Sequence, residues 1–97
     1  MKLPDFTIAK GFEWDASNRA KVGIRMPLVE AEAAFFGEPL VFFDEAHSSI
    51  EARWFLMNRV GSHHVFLVFT MRQNKIRIIS ARYMHEREVK KYGKKIG

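Results

Sequence analysis

The sequence predicts an α+β fold in which two short N-terminal helices precede an antiparallel sheet of three to four strands and one C-terminal helix. Three observations predict it. Helical spacing of apolar residues is confined to the stretches before residue 37 and after residue 85. Alternating or fully apolar runs fill the region between them, separated by Gly61-Ser62 and Gln73-Asn74. Helices and strands that come in separate runs argue for α+β rather than for an alternating parallel sheet.

Phe12-Glu13-Trp14 alternates and reads as a short strand. Asp15 is placed to cap a helix over about 16–21, because its carboxylate accepts from an orphan first-turn amide; Gly23 stops that helix. Pro27 suits a helix start, and Leu28, Ala31, Ala34 and Phe35 recur at helical spacing through a second helix ending at Gly37. Pro39 breaks the pattern, and Leu40 to Phe43 forms a strand. Asp44 to Glu51 is a polar loop. Trp54-Phe55-Leu56-Met57 opens the next strand, and Val65 to Thr70, apolar on both faces, reads as a central one. Ile76-Arg77-Ile78-Ile79-Ser80 is the last, with Arg77 opposite in direction to Ile76 and Ile78. A helix from about His85 to Tyr92 closes the chain at Gly93.

Ninety-seven residues allow a single domain, divided as an N-terminal extension (1–11), a core (12–92) and a basic tail (93–97). The chain has no cysteine, which excludes disulfides and thiolate metal sites. Its longest apolar run, Val65 to Phe69, is far short of the roughly 20 residues of a membrane helix. These features, with no signal peptide at the start, point to the cytoplasm. Charge is unevenly spread. Residues 1–71 hold seven Lys/Arg against nine Asp/Glu; residues 72–97 hold nine against two. All the excess positive charge sits in the last quarter, which favours a polyanionic partner such as RNA.

On the final helix His85, Glu88, Val89 and Tyr92 share one face, with Arg82 just upstream. An imidazole, a carboxylate, a phenol and a guanidinium are the groups that RNA cleavage without a metal uses, although the same spacing suits a helix docked on a sheet. Arg72, Arg77 and Arg82 recur every five residues, and three arginines on one sheet would make a phosphate-binding floor. His47 lies in the polar loop among hydrogen-bonding groups, placed for proton transfer or for capping a turn. His63 and His64 read as exposed turn residues, and no pair of histidines has metal-site spacing. Most of the phenylalanines (35, 36, 42, 43, 55, 66 and 69) read as core.

On these residues the chain resembles the BrnT family of toxins from bacterial type II toxin–antitoxin modules. The resemblance is carried by Phe12-Glu13-Trp14-Asp15 with Asn18, Lys21-x-Gly23-Ile24, Asp44-x-x-His47-Ser48-x-x-Glu51-x-Arg53, Thr70-x-Arg72 and Ile76-Arg77-Ile78-Ile79-Ser80-Ala81-Arg82, then Glu88 and Tyr92. It implies a RelE-like fold and an endoribonuclease that needs no metal or other cofactor. It also implies a cognate antitoxin of ribbon-helix-helix type, in a toxin–antitoxin hetero-oligomer or beside a toxin homodimer. By position it carries over Lys21, Arg53, Arg77, Arg82, Glu88 and Tyr92, with His47 weaker. Together with the residues read directly, Arg77, Arg82, Glu88, His85 and Tyr92 become the catalytic candidates. Lys21, His47, Arg53 and Arg72 become the substrate-binding ones. Val22 stands where the family usually has histidine, which removes one polar group. His85 stands where Ser or Thr normally caps the last helix, which would leave Glu88 freer or give His85 a catalytic part. The alternative is a module that binds RNA or an antitoxin without cleaving.

Overall fold

The computed structural model describes residues 9–96. Asp15 caps α1 (Ala16–Gly23) as expected: its Oδ1 accepts from the amides of Ser17 and Asn18, while Asn18 Oδ1 accepts from the Asp15 amide at 2.7 Å. This reciprocal box satisfies orphan donors of the first turn. The second helix, α2 (Leu28–Ala33), is shorter than its periodicity suggests. Pro27 serves as its N-cap rather than as its first residue, and the turns after Ala33 lead to Gly37, whose φ of +81° suits glycine.

Four strands follow in a plain antiparallel meander: β1 (Leu40–Phe43), β2 (Trp54–Val60), β3 (His63–Arg72) and β4 (Lys75–Tyr83), ordered β1-β2-β3-β4. Each of the last three is longer than its apolar run. Gln73 and Asn74 both adopt positive φ between β3 and β4, the backbone of a two-residue hairpin whose twist matches the strands. The polar loop after β1 contains a 3-10 turn, Glu45–His47, capped by Asp44. Helix α3 runs Glu86–Tyr92 and passes into a 3-10 turn at Gly93–Lys95.

The strand expected at Phe12-Glu13-Trp14 is reduced to a single parallel bridge between Phe12 and Ile76. The segment still lies along β4: Ile76 N–H donates to Gly11 O, and Glu13 N–H to Ile76 O. Asn18 continues this cover by donating to Ile78 O at 3.0 Å. The outer edge of β4 is thereby masked by side chain and turn rather than by a fifth strand.

One face of the sheet packs on α1 and α2. Leu56, Val65, Leu67, Phe69 and Ile78 are fully buried there with Val22, Ala31 and Ala34. Asn58, also on this face, donates to Ala34 O and Phe36 O and so satisfies carbonyls at the end of α2. Among the described phenylalanines only Phe35 and Phe69 are buried; Phe42, Phe43, Phe55 and Phe66 are half-buried and Phe36 is exposed. Phe42, Phe55 and Phe66 fall on the opposite, open face of the sheet.

The pairing of β3 with β4 contains the feature that shapes this open face. Val68 pairs with Ser80 and Phe69 with Ile78, so Ile79 is an extra residue in β4. In a regular strand Arg77 and Arg82, an odd number of positions apart, would project to opposite faces. The bulge shifts the alternation by one: Ile76, Ile78 and Ala81 all turn to the core, and Arg77, Ser80 and Arg82 all turn away from it.

Candidate nucleic-acid interface

The open face carries its cations in two groups. At one end Arg72 closes β3 and Arg77 follows on β4. Arg77 Nη1 lies 3.2 Å from Glu13 Oε1 and 2.9 Å from Asp15 Oδ2, although little of its side chain reaches solvent. Arg72 donates through Nε and Nη2 to both oxygens of Glu51. These arginines hold the Asp15 and Glu51 carboxyls below their ordinary values, and Glu51 in turn raises Arg72. Arg53, just before β2, lines the same cleft with Lys21, Asn18 and Ser17. Its Nε is buried and has no hydrogen-bond partner among the described residues, a costly state for a guanidinium nitrogen unless a ligand completes it. His47 reaches a shallow cleft beside Arg53 and Arg72, with its Nδ1 3.1 Å from Asp44 Oδ2.

At the other end, Arg82 donates from Nη1 to Glu88 Oε1 at 2.7 Å and from Nη2 to Oε2 at 2.9 Å. Its guanidinium carbon lies 4.5 Å from the centre of the Phe66 ring, its cross-strand partner. Glu88 also accepts from the His85 amide at 2.8 Å, half of a capping box at the start of α3. Arg82 above all, and then that amide, bring the Glu88 carboxyl down to about 2. The expectation that histidine at the cap would leave Glu88 freer is therefore corrected: both of its oxygens accept hydrogen bonds, three in all. His85 itself is exposed beside the pair, lining a shallow depression with Arg87 and Glu88.

Lys21 lines both clefts and joins the two groups. Arg77 and Arg82 lie in different ones, as five strand positions cover roughly 15 Å. Tyr92 is not brought to either; its ring packs 6.2 Å from that of Phe42 on β1, under the Lys91 ammonium. Val22, where a polar group seemed to be missing, is wholly buried in the core, so the replacement alters packing rather than the open face. Among the described residues no three His, Asp or Glu side chains gather closely enough to hold a metal ion, and no helix is long and apolar enough to cross a membrane.

Residues 14–88 match the family model described as the ribonuclease toxin BrnT of type II toxin–antitoxin systems. The chain belongs to the BrnT family. Comparison with curated proteins and with solved structures returned no match. Membership makes RNA the substrate class and an antitoxin the protein partner. This BrnT-family chain carries the two cation groups just described on the open face of its sheet.

Several residues of that face were not visible as such in the sequence. Glu13, Asp15 and Glu51 stand in the sequence as motif positions, Asp15 also as a cap, yet each holds an arginine that is distant along the chain. Arg25 and Ile24 follow α1 and line the Arg82 cleft; the closeness of Arg25 to Lys21 was the only local signal. His63, expected to be an exposed turn residue, is exposed at the first position of β3 and lies 2.5 Å from Glu30 through Nδ1, and Tyr83 donates to the other Glu30 oxygen at 2.6 Å. That cluster ties α2 to the sheet, and Tyr83 in particular depresses the Glu30 carboxyl.

Proposed function

We propose that this chain is an endoribonuclease that cuts RNA through attack of a ribose 2′-oxygen on the adjacent phosphorus, without a metal cofactor, with the reaction centred on Arg82. The observation that carries the reading is the Arg82–Glu88 pair with an exposed imidazole beside it, at the end of a continuous basic face. Arg82, held in one orientation by Glu88 and by the Phe66 ring, supplies fixed positive charge to the phosphate as it gains a fifth oxygen. Glu88, held near 2, remains ionised and is a weak proton acceptor at neutral pH. It acts as a positioning residue for Arg82.

His85 takes the proton from the 2′-hydroxyl. The new 2′-O–P bond forms as the P–O5′ bond breaks, and the leaving oxygen takes a proton from water that the open face admits. The products are a 2′,3′-cyclic phosphate and a 5′-hydroxyl. Arg53, Arg72, Arg77 and Lys21 hold flanking phosphates. His47 lies at the edge of that group, and Tyr92 supports α3 against β1. On the same reading the toxin acts in the cytoplasm within a RelE-like fold, and its antitoxin is of ribbon-helix-helix type; the motif resemblance supports both.

The test is cleavage of a defined RNA by the purified protein in excess EDTA, with products identified by mass. Cyclic phosphate ends are expected. Arg82→Ala and His85→Gln, folded by circular dichroism, should each lose about 100-fold or more in rate; an undiminished rate in either overturns the assignment. The second reading, a module that binds without cleaving, draws on the resting pairing of Arg82, whose donor edge Glu88 already occupies. A gel shift with no product under any condition would be its signature.

A further inference from the structure

The cleft beside Arg82 is not built like the one around Arg53. The Arg53 cleft is walled almost entirely by polar and charged side chains. The Arg82 cleft has Lys21 and Arg25 on one side, but the Phe66 ring and the Ile24 side chain also line it, with Ser80. Ile24 is 79% exposed, an aliphatic group left in water beside three cations. The Ser80 hydroxyl, turned outward by the Ile79 bulge, has no hydrogen-bond partner among the described residues. The cleft has a volume of about 240 Å³, below the roughly 300–1,000 Å³ of drug-sized ligand sites. That is room for a single flat ring system and its sugar.

A site for phosphate alone needs convergent donors and gains nothing from an isoleucine and a phenylalanine in its walls. A nucleobase needs apolar or aromatic surface for its faces, a hydroxyl or amide for its edge, and cations for the phosphates on either side. We infer that this cleft is a nucleobase site, taking the base of the nucleotide that adjoins the phosphate held by Arg82. Phe66 and Ile24 bound the ring, Ser80 meets its hydrogen-bonding edge, and Lys21 and Arg25 hold the backbone on either side. The cleft would then set the base preference of cleavage. The inference rests on the reading of RNA as the molecule bound at Arg82, but it does not require that the chain cleave.

The test is an NMR titration of the full 97-residue protein with each of the four nucleoside 3′-monophosphates, and separately with inorganic phosphate. At least one nucleotide should bind about tenfold more tightly than phosphate, as stacking of one base implies. The Ile24 methyl, Phe66 ring and Ser80 amide signals should move with it. Ile24→Ser and Ser80→Ala should erase most of that preference while leaving phosphate affinity unchanged. Ile24 is so exposed that its replacement leaves the core untouched. Four nucleotides that bind no better than phosphate would overturn the inference. So would nucleotide shifts confined to Arg53 and Arg72, or displacement of the Ile24 signal by a glutamate-rich peptide but by no nucleotide. Base-selective binding in a chain that never cuts RNA would sink the cleavage reading and leave this site standing; cleavage with no base preference would do the reverse.

Discussion

Replacing Glu88 with glutamine removes the charge that fixes Arg82 while keeping an oxygen to accept the His85 amide. The carboxyl lies at about 2 in the fold against an ordinary 4.5, and each pH unit of that gap is worth about 1.4 kcal/mol. The full gap sets an upper bound of about 3–4 kcal/mol. A quarter of each side chain is open to solvent, so screening reduces the expected loss to about 1–2 kcal/mol. Because the folded value is depressed, this stability is complete above about pH 4.5 and fades as pH falls toward 2. Urea melts of wild type and Glu88→Gln should therefore differ by about 1 M in midpoint at pH 7, taking a slope of about 1–2 kcal/mol per molar. The difference should shrink steadily between pH 5 and pH 2. Melts that coincide at pH 7 would show that the pair does not stabilise the fold, and a difference that persists unchanged at pH 2 would show that its stability does not come from an ionised Glu88.

Arg53→Ala should weaken RNA binding several-fold in a fluorescence-anisotropy titration and lower the dependence of affinity on salt by about one phosphate contact; an unchanged salt slope would remove Arg53 from the interface. Its effect on thermal stability should be small or favourable, since a buried nitrogen without a partner is lost. Asn58→Ala leaves the carbonyls of Ala34 and Phe36 without their donor and should cost about 2–3 kcal/mol by chemical denaturation, with no change in RNA affinity. A loss below about 0.5 kcal/mol would mean that water replaces the amide.

Much of the fold is legible in the residues taken a few at a time. Asp15 and Asn18 announce the start of α1, Gln73-Asn74 announces the last hairpin, and the runs from Trp54 to Ser80 declare an antiparallel sheet. These are local effects, in which a cap, a turn or an alternating pattern is satisfied by neighbours along the chain. The segment at Phe12-Glu13-Trp14 has the same alternation and still forms no strand. Asn18, from the next helix, takes the Ile78 carbonyl that a strand would have used. The phenylalanines of the open face were misread for a related reason: apolar character alone does not say which sheet face a helix will cover.

The sequence by itself determined the α+β class, the order of the elements, the basic C-terminal quarter and the family motifs from Phe12 to Tyr92. What only the tertiary structure decided is how those motifs become a surface. The extra residue at Ile79 sets Arg77 and Arg82 on one face, against the parity of their spacing. Glu13 meets Arg77 across 64 positions of the chain. Lys21 and Arg25 reach the same cleft as Phe66 and Ser80 because α1 packs along the edge of β4. Strand register and contacts between distant residues are settled by the packing of the whole sheet, and no local pattern carries them.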